Sequence, residues 1–511
     1  MRSPDHNVAR WNQRHAEEEP EREAVVDAEH RLDRAAFEER CARAAGALAA
    51  RGVAEGDRVA FLLGNRSAAL EIVFGAARLG AIAVPINVRL AAPEIAQQID
   101  DCRPGWLFHE AALDDVVQRT AAAARHPFES LRVGGPRDRY EAFLVSAPDR
   151  PPVAAVTPDH PMLLMYTSGT TGVPKGALLP HRKTLTNSRN AEAFFGTTRD
   201  DRVLTVVPLF HSFGLKILAI PALYCGATVV LQPRFDAHAT WRATERERIT
   251  YFGGVPTMFP PLLEALDADA PDTSSLRFLF TAGAAIPVET IHAFAERGIR
   301  LQQGFGQTET SILCCLDAED AVRKAGSVGR PVRYGEVAVV RVDTLARDPK
   351  DWETCAPGET GEIVVRGDQN MLGYWERPEA TAETLRDGWL RTGDLATTDE
   401  EGFVTLTGRA RDMILSGGEN VYPRQVEAVF ETHPAIREIA VVGIPDERWG
   451  EVGRAYVVMA PGRHLDADAL RRWGRERLAA FKVPREFVPV PGLPRTATGK
   501  VQKFLLGGDA A

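Results

Sequence analysis

The sequence predicts an α/β protein in two parts: a large layered N-terminal domain with mixed or parallel sheets, and a small α+β C-terminal domain. Two observations carry this. Apolar strand-like runs alternate with helical stretches through the early chain, the pattern of strands joined by crossover helices. The last stretch, of about a hundred residues, mixes short strands with two helices and is large enough to fold alone. A chain of 511 residues is itself too long for one ordinary domain.

The first clear helix starts at Asp33, a capping residue. Phe37, Cys41, Ala44, Ala45 and Leu48 follow at helical spacing, and Gly52 ends it. A strand is expected at Val59–Leu63, a helix from Ser67 to Leu79, a stop at Gly80, and another apolar run at Ala81–Pro85. Residues 134–160, rich in Gly, Pro and Asp, read as a loose connection. Met162–Met165 then reads as a short buried strand. Val203–Val207 is a further strand, and Ile217–Leu231 a buried helix, a turn at Cys225-Gly226 and a strand. Later strands are expected at Phe278–Phe280, Ile439–Val442 and Ala455–Val458. The late helices are Arg424–Glu431 and Asp466–Leu478, the second with Leu470 and Trp473 on its apolar side.

Composition excludes several classes. Apolar residues make up 44% and charged residues 26%, ordinary for a soluble globular enzyme. A net charge of −9 argues against nucleic acid as a partner. No signal-like or membrane-spanning stretch is visible, since Ile217–Leu231 is interrupted by Pro221 and Gly226. Six scattered cysteines suit the cytoplasm and suggest neither a disulfide framework nor a zinc site. A homo-oligomer is left open.

The chemistry concentrates after Met165. Thr167, Ser168, Gly169, Thr170, Thr171, Gly172 and Lys175 form a loop of hydroxyls and glycines closed by a cation, suited to gripping phosphates. It is not the common nucleotide loop, because no Gly-Lys pair is followed by a hydroxyl. The sequence Gln303-Gly304-Phe305-Gly306-Gln307-Thr308-Glu309 offers an amide, a ring face, a hydroxyl and a hard carboxylate suited to Mg2+. Gly283-Ala284-Ala285 follows a strand with small side chains, against which a flat ring can lie.

These stretches resemble, in order, the signatures of the adenylate-forming superfamily, and the chain looks like an AMP-forming acyl-CoA synthetase. Gly388–Asp394, Gly408–Asp412 and Pro494–Lys500 extend the resemblance, which spans Tyr166 to Lys500. It implies domains at 1–407 and 413–511, the second small and mobile about a hinge at 408–412. ATP contacts are implied at the loop residues, Gly283, Ala284, Ala285, Gln303, Gly304, Phe305, Gly306, Thr308, Asp394, Arg409 and Lys500. Lys500 is implied as the catalytic lysine, with Thr308, Glu309 and His211 beside it and Glu309 on Mg2+. The acid pocket would draw on His211, Phe213, Gly283, Gly304, Ser311 and Ile312. Arg411 takes the hinge position, where relatives mostly carry Lys or Asp. Ser416, Gly417 and Gly418 would pass the CoA arm. Many relatives carry Tyr in place of Phe305.

The implied activity is ATP-dependent ligation of a small-molecule carboxylic acid, fatty or aromatic and of open chain length, to CoA through an acyl-adenylate. Alternatives are a stand-alone adenylation enzyme loading a carrier protein in trans, since eleven residues follow Lys500, and a luciferase-like oxygenase. A P-loop kinase is disfavoured by its missing motif, and a non-catalytic nucleotide binder by the presence of Glu309 and Lys500.

Overall fold

In the computed structural model, the residues described are 1–135, 138–167, 174–284, 286–416, 419–447, 449–478, 480–496 and 499–506, with only the backbone of Leu415, Glu419 and Asn420. Two compact units emerge: Met1–Glu336 with Val365–Leu390, and Val337–Val364 with Arg391–Ala511.

The first unit is built on two sheets flanked by helices. One sheet has seven strands, in the order Gly373–Tyr374, Lys175–Pro180, Pro161–Thr167, Ile82–Pro85, Arg58–Leu62, Trp106–Glu110 and Glu129–Val133. From Pro161–Thr167 onward its pairings are parallel, while Lys175–Pro180 folds back antiparallel with Thr167 opposite Lys175. The phosphate-loop segment is thus the connection of a hairpin. The other sheet has nine strands, running from Arg330–Pro331 and Ser311–Cys315 through Leu301–Gln307, Phe278–Thr281, Tyr251–Gly254 and Arg202–Thr205 to Thr228–Leu231, Glu23–Val26 and Arg31–Asp33. Its middle is parallel and both ends turn antiparallel.

The early elements form for the reasons read from sequence. Helix Arg34–Ala49 is capped by Asp33, whose carboxylate accepts from Ala36 N–H at 2.7 Å. Helix Ser67–Leu79 ends on Gly80 at φ 72°, where a side chain would be strained. Central strands such as Arg58–Leu62 and Ile82–Pro85 are buried on both faces, hence their continuous apolar runs.

The 134–160 stretch departs from expectation. It holds a helix, Tyr140–Val145, which buries Tyr140, Phe143 and Leu144. Phe108 of the strand Trp106–Glu110 packs edge-on against both rings of that helix. Three anchored side chains hold a single turn and a half that is too short to show a period. The apolar stretch before Pro221 also differs. It opens as a π-helical segment, Phe213–Ala219, and continues as the α-helix Ile220–Tyr224.

In the second unit, strand Trp389–Thr398 pairs antiparallel with Val404–Arg409. Beyond them lies an α+β layer. Strands Ile436–Asp446 and Gly450–Met459 form a long antiparallel pair, Ile414–Ser416 joins Gly450–Met459 antiparallel, and Glu486–Pro489 joins it parallel. Helices Pro423–Glu431 and Ala467–Arg475 close one face through Val426, Phe430 and Leu470, packed on Ile439, Val457 and Phe487.

Candidate active site

The site in the first unit grows from two strand ends. Strand Leu301–Gln307 runs into a turn carrying Thr308 and Glu309, then reverses into Ser311–Cys315. Glu309 is half-buried, and its Oε1 accepts from the Tyr374 hydroxyl at 3.0 Å and the Thr167 hydroxyl at 3.4 Å. Its carbonyl accepts from Met371 N–H at 2.9 Å. The second motif is thereby tied to the end of the phosphate-loop strand and to Gly373–Tyr374. Across that hairpin, Lys175 Nζ lies 5.2 Å from the Tyr374 ring centroid, within cation–π range.

Upstream on the same strand, Gln303 is 4% exposed, and its Oε1 has no partner among the described residues. An acceptor in that position costs free energy unless a donor reaches it. Phe305 and Gly306 follow, half-buried at a bulge in the pairing with Ser311–Cys315. Gly283, at φ 93°, and Ala284 are exposed after strand Phe278–Thr281, and nothing lies within 4 Å of where a Gly283 side chain would stand. Gly304 serves a different contact. A Cβ there would come within 2.7 Å of the Phe280 ring, so the missing side chain lets that ring close over the strand.

Phe280 also meets Phe213 edge-on at 5.8 Å, and Gly253 backs Phe213 closely enough that a Cβ would stand 2.9 Å from its ring. His211 packs beside Phe210 at 4.7 Å between ring centroids, both preceding the π-helical segment. Ser311 sits at φ 64° and is buried with Ile312, whose N–H donates to Asn187 Oδ1.

The second unit holds the remaining residues. Arg409 Nε lies 2.7 Å from Asp394 Oδ1, on register partners of the Trp389–Thr398 and Val404–Arg409 pair. Arg411 lies in the single turn Ala410–Asp412 and pairs with Asp412 at 3.5 Å. Ser416 is buried, in register with Glu419 and Gly450. Lys500 is exposed on a loop closed by its own backbone: Thr496 N–H donates to Lys500 C=O at 2.8 Å, and Lys500 N–H to Thr496 Oγ1 at 3.2 Å. Ser168, Gly169, Thr170, Thr171, Gly172, Ala285, Gly417 and Gly418 lie outside the described residues.

Sequence reading missed four participants. The Tyr374 hydroxyl on Glu309 was visible only as part of a Gly-Tyr-Trp stretch. Asp101 accepts from the Tyr166 hydroxyl at 2.7 Å and from Arg377 at 2.6 Å, bracing the phosphate-loop strand. Lys183 and Lys216 are fully buried, each donating to the Ser311 hydroxyl, at 2.8 and 3.0 Å. A lysine inside the apolar run Phe213–Ala219 was the one available signal.

Residues 12–375 match the AMP-binding enzyme family, and residues 425–500 match the AMP-binding enzyme C-terminal domain. The chain is 40% identical to a feruloyl-CoA synthase of Amycolatopsis sp over 494 residues, 96% of this chain and 97% of that one. It is 42% identical to an indoleacetate–CoA ligase of Aromatoleum aromaticum over 502 residues, covering 97% and 96%. Among solved structures, ATP-bound MatB from Rhodopseudomonas palustris superposes with a TM-score of 0.87 at 29% identity over 98% of both chains. The Bacillus subtilis o-succinylbenzoate CoA synthetase with its acyl-adenylate gives 0.84 at 32% identity over 97% of both. The chain belongs to the AMP-binding enzyme family, and within it to the AMP-forming acid–CoA ligases.

Proposed function

We propose that this ligase activates an aromatic carboxylic acid with ATP and transfers it to CoA, in two half-reactions. The observation that carries the nucleotide side is Glu309, a hard carboxylate at a strand end, braced by the hydroxyls of Tyr374 and Thr167. A single hard carboxylate fits Mg2+, which is commonly held by one or two carboxylates together with substrate phosphates. Glu309 would hold the ion, which when bound offsets charge on the phosphate oxygens. ATP, Mg2+ and CoA are the co-substrates and cofactor of this class.

In the first half-reaction a carboxylate oxygen of the acid attacks the α-phosphorus of ATP and pyrophosphate leaves. No protein nucleophile is required, so this chain's work is positioning and relief of charge. The unpartnered Gln303 acceptor suits the exocyclic amine of adenine, and the open ledge at Gly283–Ala284 suits its ring. Thr308, the Thr167–Lys175 loop and Lys500 supply donors to the phosphates and to the incoming carboxylate. Asp394 and Arg409 meet the ribose. In the second half-reaction the CoA thiol attacks the acyl carbon and AMP leaves. The functional division we assign is 1–407 and 413–511 about a hinge at 408–412, with Arg411 in it. Ser416–Gly418 would accompany the CoA arm.

The acid is assigned as aromatic because Phe213, half-buried and backed edge-on by Phe280, presents a ring two residues after His211, and Ser311 and Ile312 complete the pocket we assign. The feruloyl and indoleacetate ligases, at 40% and 42% identity, support this over a fatty acid. Acid-dependent exchange of labelled pyrophosphate into ATP, followed by AMP release on adding CoA, tests the assignment. Aryl acids should exceed straight-chain acids of equal length. Exchange driven only by alkanoates would overturn it.

A further inference from the structure

The loop that carries Lys500 is tied to the rest of its unit by more than its own backbone closure. Arg495, five residues before Lys500, donates from one guanidinium nitrogen to the Gly499 carbonyl at 2.7 Å and from the other to Glu438 Oε2 at 2.5 Å. Glu438 belongs to strand Ile436–Asp446. The guanidinium therefore joins the sheet to the peptide that links Gly499 to Lys500. Arg495 and Val501 form an antiparallel bridge, and Gln502 N–H donates to Pro494 C=O at 2.8 Å, so the two arms of the loop lie side by side. Gly499 makes the turn into Lys500 at φ 83°, a conformation that favours glycine. Downstream, Lys503 Nζ lies 2.6 Å from Glu427 Oε1, an oxygen that also accepts Val441 N–H at 2.8 Å. Leu493, Val501 and Leu506 pack with Ala440, Val442, Ile444 and Val452 of the sheet.

These anchors differ in what they do. The apolar contacts and the buried Glu427 hold the terminal segment on the sheet. The Arg495 and Glu438 side chains are 38% and 30% exposed, and ion pairs so open to water contribute little to stability. Their effect is geometric. A guanidinium is a planar fork that fixes two acceptors relative to each other, which a lysine ammonium does not. Here one acceptor is on the sheet and the other is in the peptide from which Lys500 departs. For a group that acts by preorganisation, a displacement of about 1 Å can cost on the order of a hundredfold in rate. A contact of little weight in folding can thus carry weight in catalysis.

Resting on the assignment of Lys500 to adenylation, we propose that Arg495, held by Glu438, is a positioning residue for that step. It fixes the Gly499–Lys500 peptide and with it the direction in which the Lys500 side chain leaves the loop. In this role Arg495 touches neither ATP nor the acid and acts only through Lys500. The thioester step, which does not use Lys500, is indifferent to it.

The test measures pyrophosphate exchange, and conversion of chemically prepared acyl-adenylate to acyl-CoA, in five proteins: the wild type, Arg495→Met, Glu438→Ala, Lys500→Ala and Arg495→Met with Lys500→Ala. Arg495→Met should lower kcat for exchange by about tenfold or more, with KM for ATP and for the acid held within about twofold. Thioester formation and the melting temperature should stay near wild type. Glu438→Ala should lower exchange in the same selective way. On the Lys500→Ala background, Arg495→Met should change nothing further, because the group it positions is gone. A merely structural arginine would depress both half-reactions together. An arginine that itself contacts phosphate would keep its full factor in the double variant. Either result overturns the proposal, as does wild-type exchange in Arg495→Met. Should Arg495→Met not fold, Arg495→Lys, which keeps the charge and loses the fork, decides it by the same measurements. If Lys500→Ala exchanges like the wild type, the Lys500 assignment falls and takes this inference with it. If Lys500→Ala is impaired and Arg495→Met is not, this inference alone falls.

Discussion

Asp394 and Arg409 face each other across an antiparallel strand pair, with Arg409 Nε 2.7 Å from Asp394 Oδ1. The two residues expected at the ribose are therefore one unit before any nucleotide arrives. The pair orients the carboxylate, which is 5% exposed. Asp394→Ala should raise the KM for ATP with little change in the KM for the acid. A loss of roughly 1.5–3 kcal/mol, or about ten- to hundredfold, is typical of hydrogen bonds to a charged group. Because the partners are in contact, Asp394→Ala and Arg409→Ala should be non-additive in a double-mutant cycle on ATP affinity. Full additivity would mean that the pair does not act together.

Arg411 lies in the turn Ala410–Asp412, between strand Val404–Arg409 and Ile414–Ser416. Proline there fixes φ and removes a backbone donor. Arg411→Pro should leave pyrophosphate exchange largely intact and sharply reduce thioester formation. Equal loss of both half-reactions in a folded variant would refute the hinge at 408–412.

Gly253 has no side chain where Phe213 packs, and a Cβ would stand 2.9 Å from the ring. Gly253→Ala should push Phe213 out of place, with an overpacking cost of about 1–3 kcal/mol. The KM for an aryl acid should rise several-fold while the KM for ATP holds. Steady-state kinetics on both substrates, beside a melting curve, check this.

His181 is buried and accepts the Val8 N–H on Nδ1 at 3.2 Å, which requires the neutral ring. Burial, with His160 and His6 nearby, lowers it to about 3, against about 6.5 when unfolded. Between those values the unfolded chain binds the extra proton, so this group's contribution to stability is present above about 6.5 and falls with pH by up to about 1.4 kcal/mol per unit. Melting curves from pH 7 to 5 should show His181→Asn less acid-sensitive than the wild type. An unchanged pH slope would contradict it.

Much of the fold was legible because local signals agreed with the tertiary outcome. Asp33 caps its helix, Gly80 ends the next, and the buried parallel strands announce themselves as unbroken apolar runs. Helix Tyr140–Val145 was hidden because six residues following a Gly-, Pro- and Asp-rich stretch carry no readable period, and it is held by tertiary contacts such as those of Phe108. The candidate site was legible where motifs are contiguous, as at Gln303–Glu309. The Lys183–Ser311–Lys216 cluster was not, since three residues far apart in the chain meet only through folding, and a lysine on its own reads as solvated. Tyr374 on Glu309 was hidden for the same reason.

The central claim is that Lys500, exposed on its self-closed loop, serves adenylation and not thioester formation. Its ammonium would bridge the substrate carboxylate and the α-phosphate, where negative charge is most crowded as pyrophosphate departs. Removing one such preorganised donor typically costs about 10²–10³ in rate. The most direct measurement takes Lys500→Ala through the two half-reactions separately: acid-dependent pyrophosphate exchange, and conversion of chemically prepared acyl-adenylate to acyl-CoA. Exchange should fall by at least that factor while the second step stays near the wild-type rate. Wild-type exchange in the variant would contradict the account.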